Sequence, residues 1–350
     1  MTGRSDALEV RAAREDEREE WDAFVEATPH ATFFHLSSWA RAVTEEFGHA
    51  DRGLVARRDG EVVGVLPLIG CRGLRGGRSL ISSAYAVYGG PVGVDAEVER
   101  ALFEEADRIA VAERARRLEL RCLHDPGFDL PRSDLYATFI KDLPERAEDV
   151  LPGMPKKARA DARKARKNHG LTLNEGPWYV ADLVRLFHRN KRSLGSPALP
   201  AGFFARLLST FPGASTVHVV KDGDEPVAAV MSFLFRDTVL AYYSGTADGA
   251  DRRVKASAFM YMALQEWCVE RGYRVFDFGR SRRGAGAFKF KEHQGFEARD
   301  LHYLFRLVRD EHLPSLNPSN PKTLVLQRTW RRLPLGVTGV LARSASRYLP

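Results

Sequence analysis

Two lysines, Lys289 and Lys291, flank Phe290 in the stretch Ala287-Phe-Lys-Phe-Lys291. A lysine ammonium can bind a phosphate, or stabilise the oxyanion that develops as an amine attacks an ester. On a helix the two side chains diverge; on an extended segment they share a face. Just upstream, Asp277 interrupts the apolar strand pattern Val275-Phe-Asp-Phe278. Such a carboxylate is either turned to solvent or set in a cleft, where burial would raise its pKa and suit it to accept a proton. Arg280 and Ser281 follow at the C-terminal end of this strand, where open α/β sheets commonly receive ligands. The candidate catalytic residues are therefore Lys291, Asp277 and Lys289, with Arg280 and Ser281 beside them. The plainer alternatives are solvated lysines and ordinary turn chemistry.

Further candidates lie away from this stretch. Tyr85 and Tyr88 in the first half, and Tyr242 and Tyr243 in the second, fall in two similar tyrosine-rich segments ending in glycine. Such residues either pack in the core or line a groove; Tyr88, and Tyr243 with Ser244, are taken as groove residues. Trp39 either lines the same groove or anchors the first domain. Arg253 and Lys255 can grip a phosphate through their side chains. The run Lys156-Lys-Ala-Arg-Ala-Asp-Ala-Arg-Lys-Ala-Arg-Lys167 reads as an Ala-rich basic helix, introduced by Pro152 and Pro155 and closed by Gly170. Lys156, Arg159, Arg163 and Lys167 lie roughly on one side, either to track the phosphates of a polyanion or as a solvated face. His35, His169, His188 and His293 lack metal-ligand spacing, and the chain carries neither a Ser-His-Asp signature nor a P-loop; no metal is expected.

The elements that must position these residues form a repeat. Val55-Ala-Arg-Arg-Asp-Gly-Glu-Val-Val-Gly-Val-Leu66 reads as strand, Asp-Gly turn, strand, and Val219-Val-Lys-Asp-Gly-Asp-Glu-Pro-Val-Ala-Ala-Val-Met231 repeats it. Each hairpin leads to a tyrosine-rich strand, then a helix, then a short strand (Leu118-Glu-Leu-Arg and Val275-Phe-Asp-Phe). In the second helix Phe259, Met260, Ala263, Leu264, Trp267 and Cys268 recur at helical spacing before Gly272. Hairpin, strand, helix, strand is the central order of the GNAT acetyltransferase fold. The expectation is an α/β chain of two tandem GNAT-like domains with mixed central sheets. The expected segments are a first domain at 1–150, a basic linker helix at 151–172, a second domain at 173–312 and a basic apolar tail at 313–350.

Length and composition agree. A chain of 350 residues exceeds what one compact core usually holds, and 44% hydrophobic with 28% charged residues is ordinary globular usage. Cys71, Cys122 and Cys268 are too far apart for a zinc or dithiol motif and read as reduced core residues. The charged start from Met1 to Glu20 lacks an apolar run and no stretch reaches membrane-spanning length, so a cytoplasmic protein is expected. The net charge of +7 and a pI near 9.4 favour acidic partners such as tRNA, nucleotide-linked sugars or an anionic membrane face; DNA is not among the expected partners.

Several stretches in order resemble the FemAB family of aminoacyl and peptidyl transferases. Thr32-Phe-Phe-His-Leu-Ser-Ser-Trp39 is similar to that family's N-terminal F-x-x-x-x-W signature, and Met154-Pro-Lys-Lys-Ala-Arg-Ala-Asp-Ala-Arg-Lys-Ala165 to its basic stretch before the second domain. Phe276-Asp-Phe-Gly-Arg-Ser281, Gly284-Ala-Gly-Ala-Phe-Lys-Phe-Lys291 and Gly295-Phe296 look like its C-terminal acceptor-side motif, with Lys291 aligned to the lysine of its F-K element. The tail, with Asn320-Pro-Lys322 and Trp330-Arg-Arg-Leu-Pro334, is closest to the exosortase-associated subgroup. The resemblance implies transfer of an aminoacyl or acyl group to an amine, from aminoacyl-tRNA to a lipid-linked or polysaccharide-linked acceptor, without a covalent enzyme intermediate. One departure concerns the donor. Where acyl-CoA enzymes of this fold place a glycine-rich turn, this chain reads Asp251-Arg-Arg-Val-Lys-Ala-Ser257, which ranks acyl-CoA below aminoacyl-tRNA. Two alternatives remain open at this point: a CoA-dependent N-acyltransferase acting on a small molecule, and a non-catalytic binding protein of exopolysaccharide assembly. The tail's leucines, valines and arginines suit either peripheral contact with an anionic inner membrane or packing against the second domain.

Overall fold

The computed structural model describes residues 7–73, 76–314 and 321–350. Cα packing separates the chain into two units, one of residues 1–136, 300–315 and 347–350 and one of 137–299 and 316–346. The Asn317-Pro-Ser-Asn320 break lies outside the described residues.

In the first unit, β1 (Glu9–Ala12) is followed by helices α1 (Arg18–Ala27) and α2 (Ser37–Phe47). The hairpin expected at 55–66 forms as β2 (Leu54–Arg58) and β3 (Glu61–Leu66), joined by Asp59-Gly60 with both residues at positive φ. A second hairpin, β4 (Leu68–Arg72) with β5 (Arg78–Ser82), leads through α3 (Ala96–Ala112) to β6 (Arg117–Cys122), which lies parallel to β5. Asp95 caps α3 by accepting from the Val98 N–H at 2.9 Å, and Val98, Leu102, Ala106 and Ala110 make its buried stripe. The far edge of β6 is covered by the strand His302–Leu307.

In the second unit, β7 (Ile140–Asp142) and α4 (Lys156–His169) precede β8 (Thr172–Glu175), α5 (Val180–Leu194) and α6 (Ala201–Thr210). Then come β9 (Ser215–Asp222), β10 (Glu225–Phe235), β11 (Thr238–Thr246), α7 (Ala256–Glu270) and β12 (Val275–Asp277). They are followed by α8 (Gly286–His293), and by α9 (Pro321–Arg332) and α10 (Leu335–Ala345), which pack on α5. One six-stranded mixed sheet runs in the order β7-β12-β11-β10-β9-β8, with β12 parallel to β11 and the other neighbours antiparallel. α7 is apolar nearly all round because it is buried in the core of this unit, with Phe259, Met260, Leu264 and Cys268 at its centre.

Three sequence expectations change. The chain passes to the second unit at 137 rather than 150, and residues 300–315 return to the first, because β6 needs a partner on its open edge. The basic segment at 151–172 is not a linker: Ala158, Ala162 and Ala165 of α4 are buried in the second core against α7. The segment Tyr85 to Gly90, expected as a strand, is a turn and loop with Ser83 and Tyr85 at positive φ.

Candidate functional site

The second sheet opens at one place. β11 runs for nine residues, yet its pairing with β12 is confined to Thr238↔Val275, Val239↔Phe276 and Leu240↔Asp277. Beyond Leu240 and Asp277 the ladder between the two parallel strands ends while β11 continues along β10, and this parting at the C-terminal end of β12 is the position of the ligand crevice in open α/β sheets. The β10–β11 register slips there, Met231 opposite Tyr243 and Ser232 opposite Ala241, so Tyr242 is the extra residue of a bulge that re-aims the strand. A Cβ on Gly279 would lie 3.8 Å from the Tyr242 ring, which places Tyr242 across from the chain that leaves β12. The buried Tyr243 ring packs instead against Phe187, Phe204 and Phe233, at centroid distances of 5.9, 5.2 and 6.3 Å.

The turn after β12 is organised by two of the expected residues. Asp277 is buried, and its Oδ1 accepts the Gly279 N–H at 2.7 Å. Lys291, on α8, is also buried; its Nζ donates to the carbonyls of Phe278 (2.5 Å), Gly279 (2.8 Å) and Arg280 (3.1 Å) and stands 5.1 Å from the Phe278 ring centroid. The pKa of the Lys291 ammonium is lowered to about 7, chiefly by burial, with the Asp277 carboxylate opposing the shift and Arg280 adding to it. The three carbonyls also favour the charged form, since each accepts a charge-assisted bond. With its protons so directed, Lys291 shapes the 278–280 turn and places positive charge beneath it. Lys289 points away into solvent, because the stretch is helical and positions two apart diverge.

The neighbouring hydroxyls form two pairs. Ser244 Oγ accepts from the Tyr261 hydroxyl at 3.0 Å, and Thr246 Oγ1 and Ser257 Oγ are 3.0 Å apart. The Asp251 carboxylate accepts from the Ser257 N–H at 2.8 Å and from its hydroxyl at 3.0 Å, so the N-terminus of α7 is already capped by a negative group. Arg253 is paired with Asp222 at 2.9 Å and Glu225 at 3.5 Å, and Lys255 with Asp161 at 3.6 Å. These two cations, expected to grip a phosphate, are engaged by carboxylates of their own unit.

Trp39 and Tyr88 are corrected as groove residues. Trp39 has no accessible surface, its indole N–H donates to the Ala84 carbonyl at 3.1 Å, and its ring lies 4.7 Å from that of Phe34. Tyr88 is equally buried and meets Phe34 at 6.2 Å. Both are core anchors of the first unit. Ser281 is buried at the start of the short strand Ser281–Arg282. On α4, Lys156, Arg163 and Lys167 are exposed, while Arg159 Nη1 donates to the Pro152 carbonyl at 2.8 Å. Sequence reasoning passed over Tyr261, which was hidden among the apolar positions of its helix.

Residues 154–292 match the family described as Acetyltransferase (GNAT) domain. No curated protein matches the chain. Among solved structures, the crystal structure of FemX is similar over 85% of this chain and 97% of its own, at 16% identity and a TM-score of 0.65. A tandem GNAT protein from the clavulanic acid biosynthesis pathway, solved without AcCoA, covers 88% of this chain and 100% of its own, at 15% identity and 0.55. L-PGS from Bacillus licheniformis covers 90% and 97%, at 16% identity and 0.54. The repeat read from sequence is thus a tandem pair of GNAT-fold domains, the second of which carries the match to the acetyltransferase family.

Proposed function

We propose that this protein transfers an aminoacyl group from aminoacyl-tRNA to an amine on a lipid-linked or sugar-linked precursor of the cell envelope, at the crevice between β11 and β12. The observation that carries the choice of donor is the N-terminus of α7. An acyl-CoA pyrophosphate bound there would need free backbone N–H groups, and the Asp251 carboxylate already takes that of Ser257 and sets a negative charge beside the others. Pairing of Arg253 and Lys255 with acids argues the same way. The exposed cations of α4 offer tRNA phosphates a surface that no such pairing neutralises at Lys156, Arg163 or Lys167 among the described residues. FemX and L-PGS, similar in fold, lend the reading its substrate class.

In this mechanism the acceptor amine attacks the ester carbonyl, the new C–N bond forms, the ester C–O bond breaks and the tRNA hydroxyl leaves with a proton. Asp277 is the proposed acceptor of the amine proton, and Lys291 positions the 278–280 turn and its charge toward the developing oxyanion. The outer face of α10, with exposed Val337, Val340 and Leu341 beside Arg343, supports work at the inner face of an anionic membrane, where lipid-linked acceptors lie. The test offers purified full-length protein labelled aminoacyl-tRNA and, separately, labelled acetyl-CoA, each with amine acceptors. Transfer from aminoacyl-tRNA is expected. Transfer from acetyl-CoA alone would overturn the donor, and binding without turnover of either would return the chain to a binding role.

A further inference from the structure

Four elements of the first unit meet around a cavity of about 260 Å³ that none of them fills. The end of β1, the first turns of α1 and α2, and the later turns of α3 supply its walls, with Trp21, Ala40, Pro67 and Ile109 among the lining residues. The space is open because the other walls are small. Ala12, Ala13 and Ala40 offer only a methyl group, and Gly53 offers none: a Cβ there would stand 3.2 Å from Asp51 Oδ1 and 3.4 Å from the Trp21 ring, so its absence lets that ring lie against the segment 51–53. Trp21 is buried, and its indole N–H donates to the His35 carbonyl at 2.7 Å, which fixes the ring. Protein interiors seldom keep room much larger than a water molecule, because unfilled apolar walls lose their contacts. An apolar space of this size, which a single leucine could close, suits a small molecule.

The charged groups around the mouth already have partners. Arg18 donates to Glu15 at 2.8 Å and to the Ser37 carbonyl at 3.3 Å, and Arg52 donates to Glu113 at 2.6 Å. Glu17 accepts from Arg11 at 2.8 Å and from the Arg14 N–H at 2.9 Å. An ionised ligand would have to displace one of these pairs, whereas an uncharged one would not. Asp51 differs at one oxygen. Its Oδ1 accepts the Gly53 N–H at 2.8 Å, but its Oδ2 stands 4.0 Å from Arg18, beyond hydrogen-bonding distance, and accepts no hydrogen bond among the described residues.

We propose that this cavity is a binding site for a small uncharged molecule with an apolar body and one hydrogen-bond donor, a hydroxyl or a ring N–H that reaches Asp51 Oδ2. The apolar body takes the space beside Trp21, Ala40 and Ile109, where burial of its surface supplies the affinity. The single donor sets its orientation, as a few placed polar groups do in apolar pockets. The site belongs wholly to the first unit and stands independently of the acyl-transfer reading.

The experiment titrates full-length protein with indole in a calorimeter at neutral pH, beside N-methylindole, which lacks the donor, and indole carboxylate and tryptamine, which carry a charge. Indole is expected to bind saturably and to raise the urea midpoint. N-methylindole should bind about tenfold more weakly, the loss of one hydrogen bond to a charged acceptor. Both charged analogues should also bind at least tenfold more weakly, as expected where each must displace a charge pair. Two variants fill the cavity without removing any contact, Ala40→Leu in α2 and Ala13→Leu after β1. Each should abolish indole binding while the urea midpoint without ligand does not fall. Asp51→Ala should weaken indole about tenfold and leave N-methylindole unchanged. The absence of saturable indole binding, a charged analogue that binds as tightly as indole, or wild-type indole affinity in a folded filling variant overturns the proposal.

Discussion

The two units build the same strand-helix-strand step and finish it differently. In the first, β5 and β6 pair at Leu80↔Leu118 and Ile81↔Glu119, and the chain beyond β5 folds back as a loop over β6. Gly89 N–H donates to the Arg121 carbonyl at 2.8 Å, the Arg121 guanidinium donates to the Ala86 carbonyl and to Glu119, both at 2.9 Å, and the Tyr303 hydroxyl donates to the Val87 carbonyl at 2.8 Å. A Cβ on Gly90 would stand 2.3 Å from Cys122 Sγ, so the loop lies flat on the strand. In the second unit β11 stays a strand past the point of parting, and the turn after β12 is held by Lys291. Where a loop fills the parting the step is core, and where the strand continues past it the turn after the paired strand is held by a buried charge. Duplication of a fold therefore does not duplicate the geometry at the parting.

The largest effect should come from the residue that holds the open crevice. Lys291→Ala leaves three carbonyls without their donor and is expected to cost about 2–4 kcal/mol in urea unfolding. Turnover per folded molecule should fall at least tenfold, about 1.4 kcal/mol in the barrier. Wild-type turnover in the folded fraction would remove Lys291 from the site. Gly90→Ala probes the closed counterpart: overpacking against Cys122 should cost about 1–3 kcal/mol while turnover per folded molecule stays unchanged. A loss of turnover equal to that of Lys291→Ala would mean the first parting also serves the reaction.

Two buried histidines sharpen the contrast through pH. His49 of the first unit, shifted down to about 4 chiefly by burial, shares a 3.0 Å hydrogen bond with the Tyr85 hydroxyl. His218 of the second, shifted down to about 3 by burial and then by Arg271, has neither ring nitrogen hydrogen-bonded among the described residues and meets the Trp267 ring at 4.5 Å. For both, the unfolded chain takes up its proton first, so stability falls as pH drops from about 6.5 toward the folded value. His218→Leu should flatten that acid loss and leave no polar group behind. An acid slope equal to wild type would assign the loss elsewhere. The smallest expected effect is on α4: Arg163→Gln with Lys167→Gln should lessen the slope of log affinity for tRNA against log salt by about 1.5. An unchanged slope would make this face merely solvated.

How much was legible follows from the range of each interaction. The repeat, the hairpin turns and the apolar periods could be read directly, because turn chemistry and helical spacing are local properties of the chain. So could the stretch from Asp277 to Lys291, since one strand, one turn and one helix bring its members together within a short span. Other features could not be read. Whether Tyr242 or Tyr243 faces the crevice depends on a bulge, and a bulge exists only against a partner strand; one residue of slip exchanges the two faces. The return of residues 300–315 to the first unit and the burial of Trp39 are pairings of distant segments, chosen by which edges and faces remained to be covered. Residue type and spacing by themselves specified two α/β repeats and the chemistry available at the end of the second. Tertiary packing decided which repeat would open, because only the fold determines whether a loop or a continuing strand occupies the space where parallel strands part.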